Sequence, residues 1–223
     1  GRSSAVSCLD DKQMDAYLYD IVPGVRGSDE WLAAVTAASK DFGAKCAENT
    51  GDLLKFVDTV SAARDLDLLR AVLGDSALNY LGYSYGTFLG STYADLYPTK
   101  VGRVVLDGAL DPTSSSIDVS IGQAVGFEHS IRAYLTDCLG TSNCPFTGTV
   151  DDAMASVGKL LAQVDASPLR GTDGRQVGSS TLLTAIIYPL YDATAWSYLS
   201  DMFRSVMSGD ADYALQFADG YNS

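Results

Sequence analysis

The segment Gly82–Gly86 (GYSYG) is the part of this sequence best suited to do chemistry. It lies between a short apolar run, Leu78–Leu81, and a segment with helical spacing, Thr87–Tyr97. In a sharp strand-to-helix turn of this kind, the serine backbone is strained and its Oγ is exposed as a nucleophile. The positions two before and two after the serine are crowded, and glycine suits both. We therefore predict that Ser84 is a nucleophile; the alternative is a glycine-rich turn with an incidental serine.

The elements around this turn form a βαβ unit. Gly86, Gly90 and Ala94 recur every four residues, so they form a smooth helical stripe that can approach a sheet closely. Val101–Leu106 is a second run rich in β-branched residues. Two apolar strands joined by a helix are parallel, and such strands are normally buried on both faces. The backbone N–H of Tyr85, at the helix start, is predicted to donate to an oxyanion.

Helices are predicted on both sides of this unit. Ser28–Cys46 begins with a good N-cap, and Thr59–Leu73 has one apolar face and stops at Gly74. The first 22 residues look like a loop leading into a short mixed segment. After a polar boundary at 111–116, the sequence indicates mainly helices without strong strands, at about 117–139, 150–165, 179–188, 192–208 and 210–219.

Composition and charge narrow the class of protein. The chain has 223 residues, of which 47% are hydrophobic, which excludes disorder. The formal net charge of −13 argues against binding to nucleic acid or to an anionic membrane surface. No apolar run approaches the roughly 20 residues that span a bilayer. Gly1 carries neither an initiator methionine nor a signal peptide, so we expect the chain to begin inside a longer precursor.

The four cysteines indicate two disulfides and an exported protein, because they contain no CxxC pair. Cys138 and Cys144 are close in sequence, which leaves Cys8 and Cys46 as the other pair. Free buried thiols and a metal site are the alternatives, although the spacing fits no common zinc motif.

Three segments carry a resemblance to a known family. They are Ala62–Asp67 (AARDLD), Leu78–Thr87 (LNYLGYSYGT) and Val104–Pro112 (VVLDGALDP). The sequence resembles the secreted tripeptidyl aminopeptidases of actinobacteria, which are serine exopeptidases of the α/β-hydrolase fold akin to proline iminopeptidases. The opening residues Gly1–Ser4 also look like the end of a turn motif of that family. The resemblance is tightest over residues 59–112 and looser in the later helices.

The resemblance implies a partial α/β-hydrolase fold. Residues 1–112 would be an elbow-bearing core, and residues 113–223 a helical lid insertion. Peptides would be the substrate, and neither a cofactor nor a metal would be needed. In the family, the catalytic residues occur in the order Ser, then Asp, then His, and of these the resemblance assigns only the serine to this chain. The acid and the base would therefore come from remaining segments of the same precursor. Two predicted strands also make too small a sheet to be stable.

Four other residues within the chain are candidate partners of Ser84. His129 is the single histidine, and Asp107, Asp111 and Asp118 lie between it and the serine. His129 falls in a predicted helix and not on a loop after a strand, so we predict that it is structural or on the surface. Asp107 follows a strand, where some hydrolases keep their acid, but a turn residue before glycine is favoured.

An exopeptidase of this kind must hold a free α-ammonium group. Lid carboxylates are the natural anchors for it, and a negative field attracts cationic N-termini. Glu128 is the candidate for substrate binding, against the alternative of an ordinary surface carboxylate. An esterase or lipase of the same fold, or a non-catalytic binding protein with this fold, are the rival functions.

Overall fold

The computed structural model describes residues 4–222. Its internal contacts divide these residues into two units. The first, called the elbow unit, comprises residues 4–8 and 43–123. The second, called the helical unit, comprises residues 9–42 and 124–222.

The elbow unit contains the predicted βαβ arrangement. Strands β1 (Leu78–Tyr83) and β2 (Val101–Asp107) pair in parallel, with Tyr80 beside Val104 and Gly82 beside Leu106. Helix α4 connects the strands and packs on both, and α3 packs on α4. Among the described residues, no further strand pairs with β1 or β2. The regular elements are α3 (Thr59–Val72), β1 (Leu78–Tyr83), α4 (Tyr85–Leu96) and β2 (Val101–Asp107), with 3₁₀ turns at Gly51–Phe56 and Pro98–Lys100.

The helical unit is built around one apolar core. Helices α7 (Ser179–Leu190) and α9 (Asp212–Asn222) pack along each other. Helices α6 (Val150–Ala166) and α8 (Trp196–Met207) pack against α7. Phe203 is fully buried and lies 4.9 Å from the ring of Phe146 and 6.1 Å from that of Tyr134. The elements are α1 (Asp11–Tyr19), α6 (Val150–Ala166), β3 (Leu169–Arg170), β4 (Gln176–Val177), α7 (Ser179–Leu190), α8 (Trp196–Met207) and α9 (Asp212–Asn222). Two long helices contribute residues to both units: α2 (Asp29–Thr50) and α5 (Ser116–Leu139).

Local signals explain most of the helix boundaries. The hydroxyl of Ser28 accepts a hydrogen bond from the N–H of Trp31 at 3.2 Å, which is the predicted cap of α2. Gly74 follows α3 with a φ of +78°, as its predicted role as a helix stop requires. Asp192 accepts from the N–H of Thr194 at 2.9 Å and begins a 3₁₀ turn, so the segment predicted as one helix from 192 is a short turn followed by α8.

Two features of the helical unit differ from the sequence prediction. The first 22 residues contain helix α1, which begins with a reciprocal capping box between Asp10 and Gln13. Strands β3 and β4 form an antiparallel pair of two residues each. Two-residue strands are too short to produce an alternating pattern, and α1 has a weak apolar face. In addition, residues 9–42 group with the later helices, although they precede the elbow in sequence.

Both expected disulfides are present. Cys8 is bonded to Cys46 and Cys138 to Cys144, and the described residues contain no free cysteine. None of the helices within residues 4–222 combines the length and the apolar character needed to cross a membrane.

Candidate active site

Ser84 occupies the turn between β1 and α4 in a strained conformation. Its backbone has φ 49° and ψ −119°, and it is the one non-glycine residue with positive φ among those that the structure describes. Positive φ is costly for a residue with a side chain and persists only where surrounding contacts enforce it. Ser84 is exposed. This is the geometry that the sequence predicted for a nucleophile.

Close packing explains the glycine before Ser84, Gly82, and a second glycine in α4, Gly90. A Cβ atom on Gly82 would lie 2.5 Å from the carbonyl oxygen of Gly86. A Cβ atom on Gly90 would lie 2.7 Å from a ring carbon of Tyr80 and 2.9 Å from a methyl group of Leu106. A side chain at Gly82 or Gly90 would therefore push α4 away from the strands and disturb the turn.

Tyr80 holds the start of α4 against β1. Its hydroxyl donates a hydrogen bond to the carbonyl oxygen of Gly86 at 2.7 Å. Burial, and to a lesser extent the nearby Tyr85, raise the pKa of Tyr80, so the phenol remains a neutral donor. The elbow is thus fixed both by glycine contacts and by a side-chain hydrogen bond.

Tyr85 is the first residue of α4. The first backbone N–H groups of a helix have no acceptor within the helix and lie at its positive end. The N–H of Tyr85 is therefore chemically suited to the oxyanion role predicted for it, which stays a prediction. The Tyr85 hydroxyl lies 2.8 Å from the hydroxyl oxygen of Thr59 on α3.

The candidate acids near the elbow take part in local turns. Asp111 accepts hydrogen bonds from the hydroxyl and the N–H of Thr113 at 2.7 and 2.8 Å, and these bonds lower the pKa of Asp111. Asp118 accepts from the Ser115 hydroxyl at 2.6 Å, at the start of α5. Asp107 is the exposed last residue of β2, and the following Gly108 has a φ of +66°. A turn before glycine is therefore the observed setting of Asp107.

His129 lies inside α5, is exposed and belongs to the helical unit, whereas Ser84 belongs to the elbow unit. Glu128 is also exposed and accepts a hydrogen bond from Arg132 Nε at 3.0 Å. Arg132 pairs in addition with Asp151 at 2.8 Å. A substrate ammonium group at Glu128 would compete with this guanidinium. Within residues 4–222, no group of three His, Cys, Asp or Glu residues could hold a metal ion.

Sequence reasoning missed one buried polar residue beside Ser84. Thr87 is completely buried, and its hydroxyl donates to the carbonyl oxygen of Ser84 at 2.6 Å. A threonine at the third position of a helix often bonds back to the residue before the helix, so its place after the glycine was an available signal.

The parallel βαβ unit and the strained serine turn define a class of protein. A family model described as the α/β hydrolase fold matches residues 3–220, so the chain belongs to the α/β hydrolase fold family. The Ser84 turn has the geometry of a nucleophile elbow, and the nucleophilic role of Ser84 stays a prediction.

Curated relatives cover nearly all of the chain. It is 34% identical to serine protease Hip1 of Mycobacterium tuberculosis, over 97% of this chain and 43% of that protein. Identity is 30% to the tripeptidyl aminopeptidase of Streptomyces lividans, over 98% and 40% of the two chains. A carboxylesterase B of Mycobacterium tuberculosis is 36% identical over 98% and 42%. The chain thus spans less than half the length of each of these relatives.

Proposed function

We propose that this chain is the nucleophile-bearing part of a serine aminopeptidase that releases short peptides from the N-termini of peptides or proteins. The strained, exposed Ser84 in its elbow is the observation that carries the proposal. Similarity to a named serine protease and a named tripeptidyl aminopeptidase supports the choice of peptide bonds as the target.

The reaction proceeds through an acyl-enzyme. Ser84 Oγ loses its proton to a base and attacks the carbonyl carbon of the scissile peptide bond. The resulting oxyanion accepts a hydrogen bond from the Tyr85 N–H. The tetrahedral intermediate then collapses, the C–N bond breaks, and the amine of the remaining polypeptide leaves after gaining a proton. Water attacks the ester on Ser84 and releases the N-terminal peptide with a free carboxylate.

The base and the acid of this reaction are proposed to come from other segments of the same precursor. The sequence contains one histidine, His129, which is exposed on a helix. The curated relatives described above are more than twice as long as the part that the chain matches. This supports an arrangement in which an Asp and a His outside residues 1–223 complete the triad.

Substrate binding is proposed to depend on negative charge in the helices that follow β2, which would act as a lid. The net charge of −13 attracts cationic N-termini, and Glu128 is the proposed anchor for the α-ammonium group. The two disulfides favour an oxidising compartment, so we propose that the protein works outside the cytoplasm, secreted or in the cell envelope.

An esterase is the second candidate, because the carboxylesterase relative is about as similar as the peptidases. Both activities use the same elbow. A peptidase and an esterase therefore differ in the leaving group that they release, an amine or an alcohol, and in whether the substrate needs a free amino end.

The test compares three substrates with the full-length natural protein. They are a tripeptide anilide with a free N-terminus, the same anilide acetylated at its N-terminus, and a short-chain acyl ester. The proposal expects efficient cleavage of the free tripeptide and at least tenfold slower cleavage of the acetylated one. Equal cleavage of both anilides, or turnover of the ester alone, would contradict it.

A variant pair separates the role of Glu128 from that of its ion pair. Glu128→Gln should raise KM for the free tripeptide but not for the acetylated one. Asp151→Asn is the matched control, because it removes the other carboxylate that pairs with Arg132. Equal effects of the two changes would show that Glu128 has no special role in binding.

A further inference from the structure

The hydroxyl of Thr87 acts both as a hydrogen-bond donor and as a hydrogen-bond acceptor at the elbow. It donates to the carbonyl oxygen of Ser84 at 2.6 Å and accepts from the backbone N–H of Leu110 at 2.9 Å. The residue is completely buried, so water does not substitute for either partner. One hydroxyl thus joins the turn that carries the nucleophile to the loop that follows β2.

The two backbone polar groups of Ser84 lead to the end of β2 and to the loop after it. The N–H of Ser84 donates directly to the carbonyl oxygen of Asp107 at 3.0 Å. Its carbonyl oxygen connects to Leu110 through the Thr87 hydroxyl, and it also accepts from the Thr87 N–H at 2.9 Å. A residue held at positive φ needs contacts that fix it from more than one side. The last residue of β2 and the loop after it supply those contacts.

The other serine and threonine hydroxyl groups of α4 behave differently. Ser91 donates to the carbonyl oxygen of Thr87, and Thr92 donates to that of Phe88, each at 2.8 Å and four residues apart. These are ordinary bonds from a helix side chain to its own helix. The Thr87 bond to Leu110 joins residues that are 23 apart in sequence.

We infer that Thr87 is a positioning residue for Ser84: its hydroxyl ties the carbonyl of the nucleophile to the loop after β2 and so fixes where the Oγ lies. The inference rests on the proposed role of Ser84 as nucleophile. The Thr87 side chain is completely buried. It acts through the backbone of Ser84, and small misplacements of a nucleophile lower the rate strongly.

The experiment measures the second-order rate at which a fluorophosphonate labels Ser84 in the full-length protein. Thr87→Val keeps the shape and removes the hydroxyl. A lost neutral hydrogen bond corresponds to a decrease of about three- to tenfold in labelling rate. The value of kcat for a peptide substrate should fall similarly while KM stays unchanged. Thr92→Val is the matched control and should label at the wild-type rate.

A second pair separates positioning from packing. Thr87→Ser and Thr87→Ala both remove the buried methyl group, and they differ by the hydroxyl alone. Both should lower the thermal unfolding midpoint, but Thr87→Ser should label within about twofold of wild type and Thr87→Ala should match Thr87→Val. This pair also decides the question if Thr87→Val does not fold.

The outcomes distinguish the inference from the proposed function. Wild-type protein that is not labelled at Ser84 would refute the proposed function. Wild-type protein that is labelled, with Thr87→Ser and Thr87→Ala labelling at equal rates, would overturn the role of Thr87 and leave the nucleophile in place.

Discussion

The elbow unit and the helical unit obtain their structure in different ways. The helical unit has a continuous apolar core in which Leu182, Leu199 and Phe203 are fully buried. The elbow unit carries the candidate chemistry, yet large apolar side chains of its helix α3, of the residue after that helix and of its two strands are exposed. They are Val60, Leu68, Leu69, Val72, Leu73, Leu81, Tyr83 and Val105.

The exposed strand residues lie on one face of the sheet. Leu81 and Val105 are direct partners in the parallel pairing, and each is more than half exposed. Tyr80 and Gly82, on the opposite face because side chains alternate along a strand, pack against α4. The geometry at Ser84 therefore depends on close glycine contacts and a few directed hydrogen bonds. We therefore expect different substitutions to affect activity and stability in the two units.

Ser84→Ala should give the largest effect and leave both units folded. Removing the nucleophile of a triad can cost about 10⁴-fold or more in kcat. The measurement is peptide hydrolysis by the full-length protein, with hydrogen exchange as the test of folding. Ser91→Ala, in the helix that follows the elbow, is the control and should remain active. Wild-type activity in Ser84→Ala would show that the elbow is not the catalytic site.

Phe203→Ala should destabilise the helical unit by about 3–5 kcal/mol, because it removes a fully buried ring. Hydrogen exchange of peptides from α5, α7 and α8 measures this local stability. Tyr198→Ala, on the same helix but more than half exposed, should change it by less than about 0.5 kcal/mol. If exchange in α4 rose as much as in α8, the two units would not be energetically separate.

The two disulfides should stabilise the chain unequally. The bonded cysteines are separated by 38 residues in Cys8–Cys46 and by 6 in Cys138–Cys144. Chain-entropy arguments give about 4 kcal/mol for the longer loop and about 2 kcal/mol for the shorter one. The measurement is the free energy of unfolding in denaturant for two variants, each with both cysteines of one disulfide changed to alanine. The variant that lacks Cys8–Cys46 should lose more stability than the variant that lacks Cys138–Cys144. Four thiols that react with alkylating reagent in the native, non-reduced protein would contradict both bonds.

Asp219→Asn should have a smaller, pH-dependent effect within the helical unit. Two hydrogen bonds from Arg175, at 2.6 and 2.9 Å, and one from Tyr19 lower the pKa of Asp219 below its ordinary value of about 3.9. A lowered pKa contributes stability that is present above pH 4 and is lost as the pH falls through the folded-state value.

We expect Asp219→Asn to cost about 1 kcal/mol at pH 7, since the side chain is nearly half exposed and screened by water. The difference from wild type should shrink as the pH approaches 2. Asp52→Asn, in an exposed pair with Lys55, is the control. A difference that grew at low pH would refute the assigned direction of the pKa shift.

His129→Ala should have the smallest effect. An exposed residue inside a helix contributes little to stability, and the proposed base lies outside this chain. We expect kcat/KM for a peptide substrate to stay within about twofold of wild type. A loss of a thousandfold or more would identify His129 as the base and would place the triad within residues 1–223.

Local sequence determined most of the secondary structure of the elbow unit. The spacing of Gly82, Ser84 and Gly86 predicted the turn, and a side chain at Gly82 would collide with the backbone of Gly86. Helix α3 and both strands were predicted to within two residues, since their apolar patterns and stop signals are local. Four cysteines with one close pair were enough to suggest the two disulfides.

Tertiary structure alone decided which distant segments meet. Residues 9–42 join the later helices because Tyr19 donates to Asp219, 200 residues away, and its ring lies 4.7 Å from the guanidinium of Arg175. The hydrogen bond between Thr87 and Leu110 could not be predicted from the sequence either, because it joins residues that are 23 apart. A sequence records the periodicity of each element, but the partner of a buried hydroxyl or carboxylate depends on how the chain brings separate elements together.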